Sequence, residues 1–100
     1  EVDLASVPWI DIARGFAQEG IVTGASARNW AGYGDHVDLG PQVEPWQRAL
    51  LSDPQTSGGL LVSCAPGAVD AVLASFWRAG FAVAASIGRL QSGAARVRFA

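Results

Sequence analysis

Residues 60–87 constrain the fold most. "LLVSC" is a continuous apolar run that follows Gly58-Gly59 and ends at Ala65-Pro66, the pattern of a strand buried on both faces. Pro66 suits the first turn of a helix. Val69, Val72, Leu73, Phe76 and Trp77 then fall at i, i+3, i+4, i+7 and i+8, one apolar stripe along a helix. Gly80 is the residue expected just past its end. In "FAVAASIGRL", Phe81, Val83, Ala85 and Ile87 share one face of a further strand, "QSG" is a turn, and in "ARVRFA" Val97 and Phe99 alternate with Arg96 and Arg98. A strand–helix–strand–strand tail predicts an α+β domain, an α/β sandwich with helices packed on one face of a mainly antiparallel sheet.

The first half is less regular. "EVDLASVP" alternates loosely and predicts a short strand stopped by Pro8, which must pair with the sheet of the second half. Trp9, Ala13, Phe16 and Ala17 have helical spacing up to Gly20, and Asp11 near the start suits the helix dipole. Ser26 is placed to N-cap a second helix that ends near Gly34. "DHVDLGPQVEP" predicts a surface loop, and Trp46–Leu51 a brief helix.

One hundred residues form one domain or one lobe of a larger protein. Half of them are hydrophobic and 16% are charged, which excludes a disordered chain. The four Trp and four Phe point to packing in a core and against a partner or another lobe. Net charge is −2, and the cations are scattered arginines with no lysine. That excludes a nucleic-acid footprint, which needs a concentrated basic face, and the tryptophans lack the cationic groove of a base-stacking platform. No apolar stretch is long enough to span a membrane. The first twenty residues carry acids and a proline in place of a signal peptide's apolar run. One cysteine cannot form an internal disulfide, so an oxidising compartment is not required and a cytoplasmic protein is expected. A chain without methionine is expected to be a processed product or cut from something longer.

"SDPQTSGG" and "TGASARNW" are the two polar turns with chemical potential. Thr56, Ser57, Gly58 and Gly59 offer hydroxyls and flexible backbone, as phosphate cradles do. They feed a strand and not a helix, no lysine accompanies them, and Asp53 places a negative charge nearby. A turn accounts for them better: Pro54 fixes φ, Asp53 bonds local backbone, and the glycines permit positive φ. "TGASARNW" does lead into a helix, and Ser26, Arg28 and Asn29 could reach a ligand there, although an ordinary N-cap is the better account. His36 between Asp35 and Asp38 has no second ligand at metal-site spacing and reads as a surface histidine. Cys64 has no positive neighbour and reads as a small buried hydrophobe.

Residues 53–61, Asp-Pro-Gln-Thr-Ser-Gly-Gly-Leu-Leu, match in full a signature near the C-terminus of the selenophosphate synthetases (selenide, water dikinases). "GIVTGASARNW" resembles that family's glycine turn followed by Ser-x-x-Asn, here Gly24, Ser26 and Asn29, with Ala25 where a second glycine is usual. "VDLASVPWIDIA" and "AGFAVAASIGRLQSGAARVRF" resemble its flanking segments in order. The resemblance implies the C-terminal lobe of the aminoimidazole ribonucleotide synthetase-like fold, truncated at its N-terminus, whose ATP-binding N-terminal lobe is its partner. It implies synthesis of selenophosphate from selenide, ATP and water with release of AMP and orthophosphate, with Mg2+ and ATP in a homodimeric full-length enzyme. The family's catalytic Cys or selenocysteine, its Lys and its metal-binding aspartates lie upstream. No catalytic residue, metal ligand or bound cofactor is therefore expected here, and the isolated chain is expected to be inactive. Thr56, Ser57, Gly58, Gly59, Ser26 and Asn29 are the residues expected beside substrate or nucleotide, with Asp53 and Pro54 ordering their loop. The alternatives are a non-catalytic binding or dimerisation module, and a superfamily relative acting on a purine- or thiamine-pathway substrate.

Overall fold

The computed structural model describes residues 1–100. Four α-helices form: α1 (Asp11–Gln18), α2 (Gly24–Tyr33), α3 (Pro45–Leu51) and α4 (Val69–Arg78). Two three-residue strands, β1 (Val37–Leu39) and β2 (Val97–Phe99), pair in parallel, Val37 opposite Val97 and Leu39 opposite Phe99. Short 3₁₀ turns occupy Leu4–Ser6, Gly34–His36 and Pro66–Ala68.

The helices end as their glycines dictate. Gly20 and Gly80 take φ of 83° and 93°, the left-handed region that costs glycine least. At each, the glycine N–H donates to a carbonyl three residues back, and the next residue donates to one five residues back: Ile21 to Phe16 at 2.9 Å and Phe81 to Phe76 at 3.0 Å. These are Schellman ends. The second is clasped by an edge-to-face contact between Phe76 and Phe81, 6.2 Å between ring centres. α3 begins with a capping box: the Gln47 side chain accepts from the Glu44 N–H at 2.8 Å and Glu44 receives the reciprocal backbone bond.

Four expectations for strands are corrected. Only Val2 of the opening segment joins a ladder, and Leu4–Ser6 curls into a 3₁₀ turn that Asp3 caps by accepting from the Ala5 N–H. Residues 60–64 form no strand, and Cys64 is exposed. In 81–90 only Gly88 bridges, antiparallel to Val2. The expected loop at 35–45 contains β1. The sheet is thus a parallel pair, not a mainly antiparallel layer. Parallel pairing follows from the connection, since the 57 residues between the strands contain α3 and α4 and return the chain in the same direction. Val2 extends this pair by bridging Phe99 in parallel and Gly88 on its other side. Gly88 is glycine for a steric reason: a Cβ there would lie 3.0 Å from the Val2 Cα and closer still to the Glu1 carbonyl.

Packing is uneven. α1 lies on α3, and Trp9 meets Trp46 edge-to-face with ring centres 5.4 Å apart, under the Arg14 guanidinium. α2 touches α3, where Arg48 covers Trp30. α4 packs on the 3₁₀ turn before it and on the segment after it, where Trp77 Nε1 donates to the Ala84 carbonyl at 3.0 Å. Leu4 and Ala17 are the only buried apolar residues. No helix is long and apolar enough to cross a membrane.

Across β1 and β2 the Arg96 guanidinium grips Asp38 in two hydrogen bonds, 2.6 and 3.0 Å. The hydrogen bond from Arg96, aided by the charges of Arg96 and Arg98, holds the Asp38 carboxyl below its ordinary value of 3.8. A carboxylate lowered on folding stabilises the fold above its unfolded pKa, and that contribution disappears as pH falls through the folded value. A carboxyl NMR titration should therefore place the Asp38 midpoint below 3.8, and Arg96→Gln should move it upward; equal midpoints in the two proteins would contradict the pairing. Gly80→Ala should cost about 1 kcal/mol through the left-handed conformation at the end of α4, read as a lower Tm. An unchanged Tm would exclude that conformation.

Candidate functional site

The two polar turns meet where the N-terminus of α2 abuts the C-terminus of α3. Thr23, not Ser26, is the N-cap of α2, because the helix starts at Gly24. Its hydroxyl oxygen accepts from the Ser26 N–H at 3.3 Å, which satisfies one of the free donors of the first turn. The same hydroxyl donates to Asp53 Oδ1 at 2.7 Å. Ser26 Oγ donates to that oxygen at 3.2 Å and lies 3.2 Å from the Thr23 hydroxyl. Three residues later along α2, Asn29 Nδ2 donates to the Ser52 carbonyl at 2.9 Å. Ser52 caps α3, its hydroxyl folding back onto the Arg48 carbonyl at 2.8 Å. Ser26 and Ser52 are the two buried polar residues of the molecule, 4% and 3% exposed.

The sequence places these groups where it does for local reasons. Thr23 follows a two-residue connection after Gly20 and takes an extended conformation, φ −77° and ψ 145°, which stops one helix and starts the next. Ser26 and Asn29, three apart, share one face of α2. α3 runs from its capping box to Ser52, so Asp53 emerges at its end and faces that side of α2. A carboxylate at a helix N-terminus is also electrostatically favoured.

Of the residues singled out in the sequence, Ser26, Asn29 and Asp53 come together. Pro54, Thr56, Ser57, Gly58 and Gly59 lie beyond, exposed in the loop that leaves Asp53. The expected positive φ at Gly58 and Gly59 is absent, since only Gly20, Gly80 and Gly93 adopt it. Gly58 is instead crowded: a Cβ there would sit 2.7 Å from the Gln55 Cβ. Thr23 and Ser52 complete the cluster and were not singled out. Their signal was positional, a hydroxyl at the start of one helix and at the end of another.

Chemically the cluster is a closed set of donors and acceptors that holds two helix ends and the root of one loop. No group of three His, Cys, Asp or Glu side chains lies close enough to hold a metal ion. The chain has no lysine to meet a phosphate chain.

Because Thr23 and Asp53 share one bond, their removal should be coupled. In a double-mutant cycle with Thr23→Val and Asp53→Ala, chemical denaturation should give a coupling above about 0.5 kcal/mol. Strict additivity would mean that the two helix ends are held independently.

Comparison with known proteins gives a consistent picture. No protein-family model matches the chain, and no solved structure does. Curated relatives do. The selenide, water dikinase of Pseudomonas straminea is 52% identical over 96 residues, which is 96% of this chain and 27% of the relative. That of Burkholderia orbicola is 55% identical over the same length, and that of Rhizobium meliloti 45% identical over 95 residues. The chain is a homologue of a segment that makes up about 27% of the length of proteins named selenide, water dikinase.

Proposed function

We propose that residues 1–100 are the C-terminal α+β lobe of a selenide, water dikinase. In that reading the whole protein makes selenophosphate from selenide, ATP and water, releasing AMP and orthophosphate, with Mg2+ and as a cytoplasmic homodimer. The single observation that carries it is identity of 45–55% with proteins of that name, sustained over nearly the whole chain.

Within that protein the lobe serves as scaffold. Asp53, bonded to Thr23 and Ser26, fixes the point at which the Thr56–Gly59 loop leaves α3, so that the loop's hydroxyl and backbone donors lie beside the cleft facing the ATP-binding lobe. Phosphate activation and metal binding belong to the remainder of the polypeptide.

The test is nucleotide turnover. Full-length protein given ATP, Mg2+ and selenide should release AMP in proportion to selenide, and the 100-residue piece should release none. Absence of selenide-dependent AMP from the full-length protein would overturn the activity; AMP release by the piece alone would overturn the division of labour.

A further inference from the structure

Gly58 has a steric reason to be glycine, and that reason is Gln55. Its backbone does not take a positive φ, so the conformation is open to other residues. A Cβ on it, however, would lie 2.7 Å from the Gln55 Cβ, 2.9 Å from Oε1 and 3.2 Å from Cγ. Carbon atoms in contact prefer about 3.5–4.0 Å. The Gln55 Cβ is fixed to the backbone and cannot swing aside, so a side chain at 58 would force the turn open. The neighbouring Gly59 differs, since a Cβ there would meet nothing within 4 Å. The stem of Gln55 therefore lies across Gly58, and Thr56 and Ser57 form the turn between them, both exposed.

The two sides of this turn are held differently. On the near side Asp53 Oδ1 accepts from Thr23 and Ser26, and the ring of Pro54 locks the next φ. On the far side no backbone hydrogen bond ties residues 58–64 to other parts of the molecule. A hydroxyl has one O–H to give, and its aim follows the backbone that carries it. We propose that Gln55 is a positioning residue: packed on the bare Gly58 backbone, its stem closes the turn and presents the Thr56 and Ser57 hydroxyls together to an anionic group of the substrate. The inference rests on the reading that this loop borders the ATP cleft, and it adds the residue that sets the loop's shape.

The test is an exchange of bulk in the full-length protein. Gln55→Gly leaves the turn unsupported, Gly58→Ala overfills it, and the double variant moves the Cβ from one side of the contact to the other. Each single variant should lower kcat/KM for ATP about tenfold or more, as loss of a hydrogen bond to a charged group does. The loss should fall mainly on KM, with Tm unchanged. The double variant should regain at least ~3-fold over either single one. Gly58→Ala protein as active as the wild type, or a double variant no better than the singles, would overturn the proposal. The backbone amide NMR signals of Thr56 and Ser57 read the same closure without turnover: both single variants should displace them, and the double should return them towards their wild-type positions. Wild-type protein that releases no selenide-dependent AMP fails the proposed activity, and the amide signals then decide the closure, which their failure to return would overturn.

Discussion

Backbone hydrogen bonds from the first four residues reach in two directions. On one side the Val2 N–H donates to Arg98, the Leu4 N–H donates to Ala100, and the Val2 carbonyl accepts from Ala100, all between 2.7 and 3.1 Å. On the other side the Asp3 N–H donates to Ile87 and the Glu1 carbonyl accepts from Arg89. With the β1–β2 pair, this seam joins the segment after α4 to the α1–α3 cluster, and Leu4, one of the two buried apolar residues, sits at its end. Closing it brings together residues more than 80 positions apart. Long closures cost chain entropy before their contacts repay it, so the seam depends on helices that already stand.

The helices were legible because their causes are local. The stripe from Val69 to Trp77 and the glycines at 20 and 80 each act within a turn or two. Strands are different, since a strand exists only with a partner. Nothing near Val37 indicates that Val97 will lie beside it, so a stretch that reads as loop became β1. "LLVSC" has every local property of a buried strand and no ladder to join, so it stays outside the sheet. In both places the missing information was the neighbour: without one, the side chains of 60–64, Cys64 among them, are exposed and not buried.

The polar cluster divides in the same way. Each turn was visible as a polar break, yet Thr23 and Asp53 are 30 positions apart, and their contact depends on how α2 and α3 meet. Ser26 was legible as a residue of the helix start but not its task. The cap fell to Thr23, which left the Ser26 hydroxyl free to bond across to Asp53. Asn29 likewise spends its amide on the Ser52 carbonyl.

Placing Asp53 at the start of α2 has a consequence for anything that would approach there. The positive end of a helix ordinarily attracts phosphates and other anions. Here a carboxylate tethered through α3 already occupies that position, and a tethered group is present locally at about millimolar concentration or more. An incoming anion would have to displace this resident competitor and break the bonds from Thr23 and Ser26 as well. The helix start therefore acts as a joint between two helices, and the exposed polar groups of this region are those of the loop beyond it.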